Sequence, residues 1–246
     1  LAAGEYLAFA DADDWVEPDY LSYLLEIVSQ NHVRLSACNH YVFARGKDHA
    51  KFPVRDTAEI LPLRQAMERT LYHQPPDVSA WGKLYHRSLF ETLRYPEGTI
   101  FEDTDVFADL LVAAGELAYG ASPKYHYQFL ARSLSKAAFS ETSWAYLDAV
   151  ERLNAAALTR FPDLAAATTR RRVHAALSIR RLLVHAGKKH NDDVARCESI
   201  IRAGARTVLR DERAPLRDKA GILLALAGRG VFDSVWGLYE RVRRDY

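Results

Sequence analysis

Three carboxylates, Asp11, Asp13 and Asp14, follow directly on an apolar run over residues 6–10, and Trp15 closes the group. Ordinary folding physics does not reward this arrangement, because carboxylates gathered at a strand end usually wait for a cation. Hard oxygen ligands select Mg2+ or Mn2+, ions that keep some waters and take phosphate oxygens as further ligands. The substrate class so implied is a nucleotide diphosphate or a similar polyphosphate. The competing reading is a solvated turn ahead of a helix, whose first turn favours Asp through the helix dipole. Residues 6–10 read as a buried central strand, since so short an apolar run beside a polar cluster suits a strand better than a helix. In open α/β sheets ligands bind at the carboxyl ends of strands, which would put the three Asp at the mouth of a site.

Further along lie Trp81-Gly82-Lys83-Leu84-Tyr85, then Tyr95-Pro96-Glu97-Gly98 and Phe101-Glu102-Asp103-Thr104, and finally Tyr125-His126-Tyr127 with Ser133-Leu134-Ser135. Together with residues 4–25, and in this order, these blocks resemble family 2 glycosyltransferases of the GT-A fold. They match that family's Asp-x-Asp region, Trp-x-Lys-Leu-Tyr segment, Pro-Glu-Gly and Glu-Asp pair, and closing Tyr-x-Tyr strand. The resemblance ends near residue 136. It implies an inverting, metal-dependent transfer of a sugar from a nucleotide-diphosphate donor, a UDP-sugar first among them, to a polysaccharide or glycoconjugate acceptor. Under it Asp13 is the direct ligand of Mn2+ or Mg2+, and Asp11 stands beside it, closer to the ribose or donor sugar. Asp103 is the general base, with Glu102 able to raise its pKa by like-charge repulsion. Lys83 pairs with a donor phosphate or a carboxylate of the site, while Trp81 and Glu102 face the acceptor, an indole being able to stack on the apolar face of a sugar.

Each assignment has an ordinary counterpart. Trp81 fits a core position equally well, Asp103 fits a helix cap, and His126 is either a late metal ligand or, more in keeping with a lone strand histidine, a structural group. Asp14 either orients its neighbours or caps the helix after Pro18. Gln128 and Leu130 stand where relatives often show basic residues, which leaves phosphate contacts from that strand without support.

The elements that must position these groups follow from periodicity. Pro18 suits a first helical turn, and Tyr20, Leu21, Leu24, Leu25 and Val28 recur at helical spacing. Residues 33–43 read as a strand or two, 46–56 as a polar turn, 63–72 as a helix, 74–77 as a break, and 88–93 as a short helix. A helix opens at Glu102 or Asp103 and stops at Gly115, with closing strands over 117–120 and 124–129. From Ser140 onward only helices are expected, with breaks near Phe161-Pro162, 187–191, Ala214-Pro215 and 228–230. The expected fold is therefore α/β: a partial GT-A domain over residues 1–139, carrying its metal and acceptor portion, followed by an all-α extension over 140–246.

Charge divides the same way. Of 33 Lys/Arg and 32 Asp/Glu, residues 1–139 hold thirteen basic against nineteen acidic, and 140–246 hold twenty against thirteen. The basic part reads as a solvated bundle, with Arg170-Arg171-Arg172 and Arg180-Arg181 on exposed helix faces, or as a peripheral contact with anionic lipid or an acidic polymer. No nucleic-acid motif accompanies these arginines. Two cysteines, Cys38 and Cys197, far apart in sequence, indicate neither a disulfide framework nor a zinc site, and a cytoplasmic setting, peripheral at the inner membrane face, is the expectation. The chain opens at Leu1 just ahead of the first strand, so a fragment lacking the first part of the nucleotide-binding half is expected. Two rivals stand beside the transferase. A haloacid-dehalogenase-like phosphatase also carries Asp-x-Asp after a strand but wants a small residue and Thr or Val where Asp14-Trp15 follow. The other is a noncatalytic binding or scaffolding fragment.

Overall fold

The computed structural model describes residues 2–44, 46–129, 138–185 and 190–245, and contacts divide the chain into two units, Leu1–Lys136 and Ala137–Tyr246. In the first, β1 (Tyr6–Ala8), β2 (Trp15–Val16), β3 (Leu35–Ala44), β4 (Lys47–Ala50), β5 (Ala58–Pro62), β6 (Lys83–His86) and β7 (Glu116–Gln128) form one mixed sheet. Its order is β1-β6-β3-β7-β2, with β4 on β3 and β5 on β7; β3 and β7 run parallel and the other pairs antiparallel.

The first strand is neither central nor fully buried. It spans three residues, pairs with β6 alone among the described residues, and leaves Tyr6 and Leu7 half-buried and Ala8 exposed. The apolar character of its run is spent just beyond it: Phe9 sits edge-on to Tyr85, Phe90 and Tyr95 with centroids 5.6 to 5.8 Å away, within the range of favourable aromatic pairs. The expected turn over 46–56 contains β4, and β5 was not foreseen. Their side chains are exposed apart from Leu61, so backbone pairing holds them and no hydrophobic alternation marks them.

α1 (Tyr20–Asn31) buries Tyr20, Leu24, Ile27 and Val28 against Val33, just ahead of β3, and against Cys38, Leu84, Ala118 and Tyr125 of the sheet. Asp19 occupies its cap position, so Pro18 stands one residue before the helix boundary rather than in the first turn. Close packing here depends on Gly120, where a Cβ would collide with the Tyr23 hydroxyl and Ile27 Cδ1. The two expected closing strands are one: β7 runs on through Gly120 and Pro123, and β3 shifts register around Asn39. The Asn39 amide donates there to the carbonyls of Phe52 and Ala121. α2 (Leu63–Leu71) and α3 (Glu102–Ala114) complete the unit, with a 3-10 turn at Arg87–Phe90 in place of the longer short helix expected.

The second unit is helical: α4 (Trp144–Arg160), α5 (Ala165–Leu182), α6 (Asn191–Arg210), α7 (Leu216–Leu226) and α8 (Arg229–Asp245). The breaks after Arg160 and at Pro215 fall as expected, whereas residues 187–189 of a third lie outside the described residues. The arginine expectation is corrected. Arg170, Arg171, Arg180 and Arg181 of α5 are buried; only Arg172 of that set reaches solvent, where it pairs with Glu151 at 2.6 Å. Arg170 and His174 converge on buried Asp218, at 2.8 and 2.9 Å. Burial pushes the Asp218 carboxyl up, but His174 and Arg170 outweigh it and hold it down at about 2. Arg180 pairs with Glu198 and Asp233. Buried guanidinium groups demand such partners, which Arg170 and Arg180 find inside the bundle, and burial removes all four arginines from any surface role. Cys38 and Cys197 are buried free thiols. Among the described residues no helix is long and apolar enough to cross a membrane.

Candidate functional site

After Phe9 the chain turns, the Asp14 amide donating to the Asp11 carbonyl at 3.2 Å, and enters β2, which pairs Trp15 and Val16 with His126 and Tyr125. The turn brings carboxylate oxygens of Asp11, Asp13 and Asp14 within 4.8 Å of one another. They are not equivalent. Asp14 is half-buried, with one oxygen accepting from the Tyr125 hydroxyl at 2.7 Å and the other from the Gln128 amide at 2.7 Å. Asp14 therefore orients the turn and does not cap α1. Asp11 and Asp13 are exposed, and among the described residues no hydrogen bond or ion pair reaches either carboxylate. Tyr125 ties both ends of the turn, since its hydroxyl also accepts the Asp11 amide at 3.0 Å.

Charge crowding is evident in this turn. Partial burial raises the Asp11 pKa, and the charges of Asp14, Asp13 and Glu102 raise it further. Burial likewise raises Asp14, against the Gln128 and Tyr125 hydrogen bonds. A set of oxygen-only ligands whose charges repel, with two carboxylates open to solvent, fits a hard divalent cation.

Asp103 lies in the first turn of α3, after Phe101, whose φ of 66° is left-handed. One carboxylate oxygen accepts the Thr104 amide at 2.5 Å and the Thr104 hydroxyl at 3.3 Å. Burial pushes the Asp103 carboxyl up to about 6; the Thr104 hydrogen bond opposes this, Glu102 and Asp77 add to it, and Lys83 reduces it. Glu102 thus acts on both Asp11 and Asp103, so the turn and the start of α3 share one electrostatic neighbourhood.

Lys83 lies in the interior of the first unit. Its ammonium is buried, donates to the Ser79 carbonyl at 2.5 Å and stands 3.8 Å from Asp77. Burial lowers its pKa, while Asp77 and then Asp103 work the other way. Lys83 is the counter-charge under the site, in keeping with the carboxylate half of its expected role. For Trp81 the core alternative gains: its ring stacks on Tyr125 and Tyr127, at 4.5 and 5.4 Å and within 13° of parallel, which takes up stacking surface a sugar would need. His126 lies outside the acidic group. Its ring stacks on Trp15 and Tyr41, and its nitrogens face Glu17 at 2.9 Å and Asp48 at 3.1 Å.

Tyr125, the Gln128 amide and Asp77 were not singled out from sequence. Only the Tyr-x-Tyr block hinted at the first, and nothing local to Asp77 announces its pairing with Lys83. Leu130 and the Ser133-Leu134-Ser135 block lie outside the described residues.

Residues 1–94 match the sequence profile of Glycosyl transferase family 2. The chain is 28% identical over 171 residues to the glycosyltransferase GlyA of Streptococcus pneumoniae, covering 65% of this chain and 24% of that protein. To the putative glycosyltransferase EpsH of Bacillus subtilis it is 31% identical over 134 residues, covering 52% and 38%. It therefore spans less than two-fifths of either relative. A crystal structure of S. aureus TarS 1-349 with UDP-GlcNAc superposes with a TM-score of 0.54 at 16% identity, over 98% of this chain and 69% of that one. A second, with UDP, gives 0.50 at 14% identity, over 98% and 68%. These likenesses establish the fold as GT-A-like with a helical C-terminal region.

Proposed function

We propose, from the match of residues 1–94 to the glycosyl transferase family 2 profile, that this chain is the metal and acceptor part of an inverting transferase that moves a sugar from a nucleotide diphosphate to a saccharide or glycoconjugate acceptor. The observation that carries the reading is the turn in which Asp11 and Asp13 stand open while Asp14 is fastened to β7. Asp13, with Asp11 beside it, would hold Mn2+ or Mg2+. Such an ion, when bound, supplies positive charge to the departing diphosphate. The acceptor hydroxyl oxygen forms the new bond to the anomeric carbon as the bond from that carbon to the diphosphate oxygen breaks. The hydroxyl proton passes to Asp103, whose raised pKa suits a base working near neutrality. Glu102 keeps that pKa up and faces the acceptor side, and buried Lys83 with Asp77 fixes the floor beneath Asp103. A UDP-sugar is the proposed donor, supported by the shared fold with TarS, whose structures hold UDP-GlcNAc and UDP.

The test is calorimetric titration of UDP into the intact protein with and without Mn2+. Binding that requires Mn2+ supports the transferase; metal-independent binding, or none, favours a noncatalytic module. Tyr125→Phe sharpens it. The substitution removes the acceptor for the Asp11 amide and a charge-assisted donor to Asp14, so Mn2+-dependent UDP affinity should fall by roughly ten- to a hundredfold with the fold retained. Unchanged affinity would show that the turn holds its shape without the hydroxyl.

A further inference from the structure

Three arginines of α5 have carboxylate partners: Arg170 has Asp218, Arg172 has Glu151, and Arg180 has Asp233. Arg181, at the end of the same helix, is different. It is only 8% exposed, its Nε and Nη2 are shielded from solvent without a hydrogen-bond acceptor, and no ion pair reaches it among the described residues. The carboxylate that acts on it, that of Asp218, is already engaged by Arg170 and His174. What stands beside Arg181 is a second cation. The guanidinium carbons of Arg181 and Arg217 lie 4.4 and 5.9 Å from the centroid of the same Trp236 ring. Arg181 Nη2 also comes within 3.7 Å of where a Cβ on Gly221 would stand, and Gly221 follows Arg217 by four residues, on the same side of α7. Arg217 is exposed in the first turn of α7, and no hydrogen bond or ion pair reaches it among the described residues.

A buried guanidinium with no acceptor, next to a like charge, is an arrangement that folding penalises and that Arg170 and Arg180 avoid on the same helix. Contact with the Trp236 ring offsets only part of that penalty. Burial lowers the Arg181 pKa and the charge of Arg217 lowers it further, Asp218 opposing, so the two guanidinium groups act on each other as well as on the indole. An anion complements both at once. A phosphate group suits the pair best, because its two negative charges match two guanidinium groups where a carboxylate would match one, and its several oxygens accept from both. The first turn of a helix likewise favours negative charge, and Arg217 holds that position in α7. We propose that Arg181 and Arg217 bind a phosphate group, free or as an ester, with Arg181 at its buried side, Arg217 at its open side and Trp236 as the wall they share. The site belongs to the helical unit alone and does not rest on the sugar-transfer reading.

The experiment is calorimetric titration of the full chain with sodium phosphate, against sodium chloride at equal ionic strength, and then with glycerol 3-phosphate. Saturable phosphate binding with a dissociation constant of roughly 1 mM or tighter is expected, with no counterpart in chloride. Tighter binding of glycerol 3-phosphate assigns the site to a phosphate ester and tighter binding of inorganic phosphate to the free ion; either supports the proposal. Arg217→Gln, at an exposed position, should weaken phosphate binding by roughly ten- to a hundredfold with unchanged circular dichroism. Arg181→Met should abolish binding and, by removing a buried charge, raise the melting temperature measured without phosphate. If Arg181→Met fails to fold, the Arg217→Gln titration decides alone. Phosphate binding no stronger than that of chloride, or binding that Arg217→Gln leaves unchanged, overturns the proposal. So does a folded Arg181→Met variant that keeps the wild-type affinity.

Discussion

Asp13→Ala eliminates Mn2+-dependent UDP binding and sugar transfer together, with transfer falling by at least roughly a thousandfold. Asp13 is exposed and reached by no protein donor among the described residues, so its loss leaves Phe9, Asp14 and the Tyr125 hydroxyl in place. What disappears is the foremost oxygen ligand of a turn whose remaining Asp11 is a single open carboxylate. The measurement pairs calorimetry with product formation in the intact protein. Tight, Mn2+-dependent UDP binding in the variant would remove Asp13 from the site and leave the acidic turn as a solvated loop.

Asp103→Asn separates binding from chemistry. The amide keeps the carboxylate's size and still offers an oxygen to the Thr104 amide, so donor binding and fold persist. It cannot take the acceptor's proton, and the rate drops by roughly a hundred- to ten-thousandfold. Wild-type transfer should rise with pH through about 6 as the carboxyl ionises, a limb the variant lacks. Stability moves the opposite way. With its folded pKa above the ordinary 3.8, the contribution of Asp103 to stability is fully present below 3.8 and is lost as pH rises through about 6. At pH 8 the ionised group costs the fold on the order of 3 kcal/mol, which the amide avoids. The variant should thus melt a few degrees higher than wild type at alkaline pH. Near-normal turnover with normal binding would reduce Asp103 to a local hydrogen-bond acceptor.

How far the chain could be read depended on whether a feature announces itself locally. α1, α2 and α3 were legible because Leu24, Ile27 and Val28, or Phe107, Leu110 and Leu111, repeat at the helical period on a buried face. The acidic turn was legible because three Asp beside an apolar run is a rare local pattern. β4 and β5 were not, because strands with almost no buried side chain leave no hydrophobic trace. The arginines of α5 misled for the reverse reason: their partners Asp218, Glu198 and Asp233 lie between 18 and 53 residues away in sequence, so the pairing that permits burial is invisible from the helix itself. Lys83 follows the same rule. Its ammonium is fixed by burial and by Asp77, and the motif around it records only that a lysine is wanted.

The bond from the Asp11 amide to the Tyr125 hydroxyl joins residues 114 positions apart, and Tyr125 is fully buried in the strand that pairs with β2, β3 and β5. An amide in a surface turn ordinarily exchanges its proton with water through small, frequent openings. This one opens only when the tyrosine withdraws or the turn lifts from β7, so its exchange is tied to the motions of the sheet. The turn is thus ordered in advance, and a cation bound there as proposed would meet carboxylates whose backbone entropy was surrendered when the domain folded.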